Sequence, residues 1–305
     1  MSEGSRLSAE EAPLVSVIVA AYHSADFLPA CLNALEAQSF RHFETIVVNS
    51  SSEHHTARAL AAFPTVRLVQ SPQRLLPHAA MNVGASLARG SLLVFTAADT
   101  KAEPGWLAAL LAASENGHGL IGGSIETDAV SFVSRGMQIA KYYHWLSGRP
   151  VGRADVAASG NMLVSRRVWD AAGPFDGSIY SGDTLFSWQA RRHGFEAWSE
   201  PGAVVHDTDE GYNSQFLLER FQRGKEFGQV RAAFEALSGR RRLLCILYMP
   251  VAVLTELVKI GRACQQSGRL SDFFLTLPLQ IAARVAWCGG EACGYAAAPH
   301  QSRTP

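Results

Sequence analysis

Apolar and polar positions come in short alternating blocks along the first hundred residues. Residues 14–21, LVSVIVAA, are rich in β-branched side chains and bounded by Pro13 and a polar turn, which predicts a buried strand. Leu28, Cys31, Leu32 and Leu35 then recur at i, i+3, i+4 and i+7, so a helix with one apolar face is expected over 26–38, capped by Asp26. Residues 43–48 and 66–69 read as a second and third strand, 77–89 as a helix closed by Gly90, and 91–96 as a fourth strand. In that fourth strand Leu92, Leu93, Val94 and Phe95 form an apolar run too short for a helix, as expected of a strand covered on both faces. Such alternation predicts an α/β fold with a mainly parallel central sheet, right-handed crossovers and flanking helices.

The pattern changes near Ser238. Arg240, Arg241 and Arg242 lead into LLCILYMPVAVLTELVKI, and SDFFLTLPLQIAARVAWCGGEACGY follows after a polar link. Each run is interrupted by Pro250 or Pro278 and by Glu256, Lys259 or Arg284, so neither is a clean span of the ~20 apolar residues a bilayer requires. Helices lying in a membrane interface are expected, with the arginines toward anionic lipid. The alternative is a helical subdomain packed on the first domain or on a second copy of the chain. Three regions follow: a flexible polar tail over 1–12, a domain over 13–235 and an apolar helical segment over 236–298.

Composition narrows the function. The 305 residues are 48% hydrophobic, with 27 basic and 27 acidic side chains, which indicates a folded core and leaves no general attraction to nucleic acid. Five cysteines without a CxxC pair argue against a disulfide framework and a zinc cluster, and fit a reducing compartment. The tail lacks an apolar core segment and does not read as a signal peptide. No glycine follows the first strand and no G-x-x-x-x-G-K-[ST] occurs, so dinucleotide hydride transfer and P-loop chemistry lose support.

Candidate chemistry gathers where the strands end. Asp99 follows the fourth strand, where open α/β sheets bind ligands, although an Asp-Thr before Glu-Pro-Gly also makes an ordinary turn. Asn49, Ser50, Ser51 and Ser52 end the second strand with short polar side chains, suited to a polar ligand or to capping the next helix.

In order along the chain, VSVIVAAYHSADFLPACLNALEAQSF, FETIVVNSSS, NVGASLARGSLLVFTAADT, PGWL, Gly160-Asn161-Met162, GPFD at 173–176, Ser181-Gly182-Asp183, 191–195 and Val205-His206 resemble the family 2 glycosyltransferases of GT-A fold, over roughly 13–228. The resemblance implies an inverting sugar transferase that uses a nucleoside-diphosphate sugar and a divalent metal, Mn2+ or Mg2+. Donor contacts fall on Ala21, Tyr22, Asn49, Arg74, Asn82, Ala98 and Asp99, and acceptor-side contacts on Gly160, Asn161, Met162 and Trp145. The metal falls to Asp99 and His206, a mixed N/O set. Asp183 corresponds to the general base that removes the acceptor proton, and by position it also suits a helix N-cap.

Several positions depart from the family pattern. Asp-x-Asp becomes Ala97-Ala98-Asp99, the acidic pair ending the second strand becomes Asn49-Ser50, the arginine before Asn-x-Gly becomes Met81, and Glu-Asp becomes Gly182-Asp183. Lys141 to Trp145 form an aromatic cluster that either borders the acceptor or joins the core, the core being favoured. Arg220, Arg223 and Lys225 either close over a diphosphate or form a solvated helix face. The processive Gln-x-x-Arg-Trp signature is absent, so a single sugar is expected to be added to a lipid-linked or polysaccharide hydroxyl. The expected location is cytoplasmic, peripheral at the inner face of the cell membrane. The competing reading is a degenerate, non-catalytic domain serving as a scaffold or glycan-binding partner.

Overall fold

A computed structural model of the chain describes residues 12–51, 55–128, 131–208 and 214–297. The expected tail lies outside the described residues except for residue 12, as does Ser52. Strands β1 (Val15–Ala21), β2 (Phe43–Asn49), β3 (Arg67–Gln70) and β4 (Leu92–Ala97) alternate with helices α1 (Leu28–Glu36), α2 (His55–Leu60) and α3 (Pro77–Leu87). Next come β5 (Thr100–Ala102), α4 (Trp106–Glu115), β6 (Leu120–Thr127), α5 (Phe132–Tyr142), a 3-10 turn (Tyr143–Trp145), β7 (Gly152–Ala154), β8 (Asn161–Ser165), α6 (Arg166–Ala172), α7 (Gly182–Arg192) and β9 (Ala197–Asp207). Helices α8 (Phe216–Phe234), α9 (Gly239–Gln266), α10 (Leu270–Leu275) and α11 (Leu277–Ala296) complete the described chain.

The sheet order is β3-β2-β1-β4-β8-β6-β9-β5, with β7 paired to β9. The first four strands are parallel, as expected, but β8 runs antiparallel between β4 and β6, so the sheet as a whole is mixed. This insertion matters because β8 starts beside the carboxyl end of β4, with Thr96 opposite Asn161. Loops from the two halves of the chain therefore meet there. Val15, Val17 and Val19 face α1 and α4 in one core layer, while Ile18, Leu93 and Phe95 face α3, α6 and α7 in the other. Each such side chain contributes roughly 1.5–3 kcal/mol on burial.

Two local expectations change. Asp26 is exposed and caps nothing: Phe27 is the N-cap of α1, and the Ser24 carbonyl accepts from the Phe27 and Leu28 amides at 3.1 and 2.9 Å. Gly90 does not close α3, which ends in an extended Ala88. Its role is close approach, since a Cβ there would lie 2.6 Å from the Ser16 amide nitrogen. Gly84 likewise lets α3 settle on β1, where a Cβ would overlap Ile18.

The carboxy-terminal helices pack through glycines. Gly224 and Gly228 on α8, and Gly290 and Gly294 on α11, are each spaced i, i+4, and a Cβ at any of them would run into the partner helix backbone. Backbone-to-backbone approach of this kind maximises dispersion contact and admits no side chain. Pro250 does not interrupt α9, which runs unbroken for 28 residues. By length and composition alone α9 could cross a membrane, and only 6% of its most apolar window is buried. The paired glycines at 289 and 290 test the interface. At Gly290 a Cβ would overlap the Phe221 carbonyl oxygen, whereas at Gly289 the nearest atoms are Phe221 ring carbons at 3.8 Å. Gly290→Ala is expected to cost about 1–3 kcal/mol of stability, and Gly289→Ala to be neutral or stabilising by up to ~1 kcal/mol through helix propensity, as read from paired thermal melts.

Candidate active site

The carboxyl ends of β1, β2 and β4 form one rim, stitched by Ser50 N to Ala21 O at 3.0 Å and Ala98 N to Ala20 O at 3.2 Å. Ala21 and Ala98 are buried and line the rim through backbone. Arg74 reaches over the Tyr22 ring, 4.6 Å from its centroid, so two expected donor contacts form one cationic and aromatic plate, a pairing worth about 0.5–1 kcal/mol when exposed. Asn49 and Asn82 depart from expectation. Asn49 is fully buried, donates to Gln70 Oε1 at 2.9 Å and accepts from the Ser51 amide and hydroxyl, so its amide shapes the loop instead of reading a base. Asn82 exchanges both its hydrogen bonds with the Phe175 backbone, at 2.8 and 3.1 Å, which ties α3 to the 173–176 loop.

Asp99, after the fourth strand, lies beside the end of β9, where Thr208 N and Oγ1 donate to its carbonyl at 2.8 and 2.7 Å. The β5–β9 register pairs Lys101 with His206 and Thr100 with Asp207, so His206 and Asp207 project from opposite faces of the ladder. Asp207 is buried and accepts from Gln138 Nε2 at 3.1 Å. Burial, with the Asp207 and Asp99 carboxylates nearby, holds the Tyr142 hydroxyl well above the usual tyrosine range. Burial and then Asp99 push the Cys31 thiol up to about 12, so it stays protonated and is no nucleophile. Asp99, Asp207 and Tyr142 therefore share one region, and the buried Arg220 guanidinium acts on the same hydroxyl from α8.

His206 is engaged elsewhere. Its Nε2 lies 3.2 Å from Glu103 Oε1, and its Nδ1 lies 2.7 Å from Asp128 Oδ1, close but not aligned as a hydrogen bond. With Asn33, Lys101, Glu103 and Asp128 it lines an open pocket of about 540 Å³ against α1. Among the described residues no group of three or more His, Cys, Asp or Glu side chains is set to hold a metal ion.

Asp183 lies in the first turn of α7, with Ser181 as N-cap, so the capping role does not hold. Its Oδ2 accepts from the Ser159 amide at 3.0 Å and hydroxyl at 3.3 Å, and Oδ1 accepts from Thr184 N at 2.7 Å. The turn before α7 is tied to α8, where Glu226 accepts from Ser181 N and Oγ, both at 2.8 Å, and from Tyr180 N at 3.1 Å. Ser159 also meets buried His78, Nε2 to Oγ 3.0 Å. The glycine at 182 has a direct cause, because a Cβ there would stand 2.7 Å from His78 Nδ1. Neither His78 nor Ser159 carried a sequence signal.

Of the acceptor-side candidates, Gly160 sits at the mouth, its carbonyl held by Thr96 Oγ1 at 3.0 Å. Asn161 and Met162 are fully buried and support the wall from behind. Asn161 Oδ1 accepts from Trp106 Nε1 at 2.7 Å, and Nδ2 donates to Ser124 O and Ala203 O, both at 2.8 Å. Trp145 packs on the main core and donates to Val156 O at 3.3 Å, and Tyr143 is buried, as the core reading expects. The cationic helix face divides: Arg220 is buried beside Glu219, Arg223 lies over the Tyr180 ring, and Lys225 is exposed.

The fold is GT-A-like, with one acid after the fourth strand and a second in the first turn of α7, and this chain is a glycosyltransferase. Residues 16–165 match the Glycosyl transferase family 2 model and form a domain of that family. The chain is 24% identical over 290 residues to Glycosyltransferase AglE of Haloferax volcanii, covering 90% of this chain and 92% of that protein. Its fold is similar to that of the mannosyltransferase PcManGT from Pyrobaculum calidifontis, solved in complex with GDP-Man and Mn2+, with a TM-score of 0.59, 16% identity, and coverage of 94% of this chain and 87% of that chain.

Asn161→Ala removes three buried hydrogen bonds and strands two carbonyls and an indole N–H. The expected loss is about 3 kcal/mol or more, since each unsatisfied buried group costs ~1–3 kcal/mol. Urea unfolding measures it, and a loss below 1 kcal/mol would contradict the bracing role.

Proposed function

We propose that this glycosyltransferase moves one sugar from a nucleoside-diphosphate donor to a hydroxyl of a lipid-linked or polysaccharide acceptor, with inversion. The observation that carries the reading is the setting of Asp183: its carboxylate accepts from Ser159, whose neighbour Gly160 is held by Thr96 near the end of β4, the strand that Asp99 follows. A hydroxyl attacks an anomeric carbon only as its proton leaves, and Asp183 is the group that takes it. The sugar–diphosphate bond breaks on the opposite side as the new bond forms, so a single displacement inverts the centre. Tyr22 and Arg74 supply an aromatic and cationic plate for the nucleotide, and Arg220 a buried cation for the diphosphate.

Mn2+ or Mg2+ would be held by Asp99 with Asp207, two hard oxygen donors around Tyr142, as suits these ions. The opposed faces of Asp207 and His206 favour Asp207 as the companion of Asp99, with His206 held by Asp128 and Glu103. When bound, the ion offsets charge on the departing diphosphate. The Mn2+ and GDP-Man of PcManGT make GDP-mannose the first donor to try. Asp99→Asn is expected to weaken Mn2+-dependent GDP binding at least tenfold by calorimetry, roughly the worth of one charged contact. Equal GDP binding in wild type and variant, with no effect of Mn2+, sinks the site. Asp183→Asn should lower turnover by ~10²–10⁴-fold with donor affinity unchanged.

The protein would act at a membrane surface, cytoplasmic side. Leu243, Leu244, Leu247, Tyr248, Val251, Leu254 and Val258 form an exposed apolar stripe on α9, with Leu247 67% and Leu254 65% exposed. The opposite side of α9 buries Ile260, Ala263 and Cys264, and Glu256 bonds to Tyr143 and Lys259, which favours a helix lying on a bilayer over one crossing it. Arg240 and Arg241 are exposed for anionic headgroups; Arg242 instead binds the Tyr295 and Ala297 carbonyls. The five free cysteines accord with a reducing compartment. Leu247→Glu with Leu254→Glu should cut co-sedimentation with anionic vesicles by roughly tenfold or more without lowering the melting temperature. Unchanged pelleting would favour a helical subdomain that never meets lipid.

A further inference from the structure

His78 is 3% exposed, lies in the first turn of α3, and packs its ring 5.0 Å from that of Phe175. Its Nδ1 is 3.2 Å from the Ile179 carbonyl oxygen, and its Nε2 is 3.0 Å from Ser159 Oγ. A carbonyl can only accept, so Nδ1 carries the proton, and in the neutral ring Nε2 presents a lone pair to Ser159; the tautomer is assigned from these partners. Ser159 has one hydroxyl proton and two neighbours that can accept it, His78 Nε2 at 3.0 Å and Asp183 Oδ2 at 3.3 Å. Once that proton goes to His78, a lone pair of Ser159 Oγ is left facing Asp183.

We propose that His78 is a positioning residue for the proton transfer, acting on Asp183 through the single hydroxyl proton of Ser159. The inference rests on the reading of Asp183 as the base. When the acceptor O–H bond breaks, its proton goes to Asp183, the acceptor oxygen bonds the anomeric carbon, and the electron pair of the broken sugar–oxygen bond leaves with the diphosphate. As Asp183 becomes protonated, the Ser159 hydroxyl turns its proton from Asp183 Oδ2 to His78 Nε2, and its lone pair accepts from the new Asp183 O–H. The side-chain hydrogen bonds then donate in one direction, from Asp183 to Ser159, from Ser159 to His78 and from His78 to the Ile179 carbonyl. Chains aligned in this way reinforce one another in a buried setting. Gly182 is the steric partner of the arrangement, since the ring occupies the space a side chain there would need.

The test is a double-mutant cycle on the full-length protein, with transfer from whichever donor the wild type uses. Ser159→Ala keeps the backbone amide to Asp183 and removes the relay. It should lower kcat roughly tenfold, the worth of one hydrogen bond, with donor KM unchanged, and Ser159→Thr should restore most of the loss. In the Asp183→Asn background, Ser159→Ala should cause no further loss, because the hydroxyl works through that carboxylate. His78→Leu should match Ser159→Ala in kcat, and His78→Asn, whose amide both donates and accepts, should recover part of it. If Ser159→Ala lowers the residual rate of Asp183→Asn by the same factor as in wild type, the role is structural and the proposal fails. An unchanged kcat in Ser159→Ala also overturns it, and that readout stands even if the buried His78 variants do not fold. Should Asp183→Asn itself transfer at the wild-type rate, the base reading fails, a result separate from either outcome at Ser159.

Discussion

One buried amide holds the two halves of the cleft in register. Asn161 opens β8, the antiparallel strand that separates β4 from β6, and its side chain binds the Trp106 indole, the Ser124 carbonyl and the Ala203 carbonyl. A fully satisfied polar group in a dry interior is specific because any other arrangement leaves a donor or acceptor unpaired. Gly123 is glycine for the same reason, since a Cβ there would collide with that amide and with Ala203 O. From this anchor the loop just before β8 takes its place, and Ser159 and Gly160 come to lie beside the end of β4. The position of Asp183 relative to Asp99 follows from that loop.

The polar residues of the cleft divide into those that brace and those free to act. Asn49 and Asn82 are spent on the loops that carry their neighbours. Gly182 stands where a glutamate is usual because His78 fills the space beside it. Asp207 and His206 are adjacent in sequence and serve opposite faces, one near Tyr142 and Asp99, the other toward α1. A two-residue period therefore separates a buried acid from a histidine of the flank.

The helical segment joins this body through backbone contact. The glycine pairs of α8 and α11 bring the two helices together without side chains between them, and Arg269 binds the buried Glu126 at the end of β6. Arg135 and Asp272 add a second link between α5 and α10. The tight α8–α11 side and the bare α9 face are two consequences of one arrangement: the small residues were used inward, and the leucines were left outward.

Much of the fold was legible along the chain because strand and helix periods are local. The run 14–21, the helix face at 28, 31, 32 and 35, the apolar 92–95 and an acid just beyond it all stand where their spacing put them. The ordered motifs also identified the glycosyltransferase class, since they survive as a series even where single members differ. What the amino-acid order could not show was which groups meet. Asn82 bonds a backbone 93 residues away, His78 a carbonyl 101 residues away, and Asn161 a carbonyl 42 residues away. The orientation of Asp207 depended on the β5–β9 register, and the hold on the turn before α7 depended on Glu226 from another helix. The sequence by itself determined the elements, the class and the acid after the fourth strand, because those rest on period and local composition. Only the tertiary structure decided which polar side chains were spent in bracing and which were left facing the cleft, because a hydrogen bond is satisfied in space.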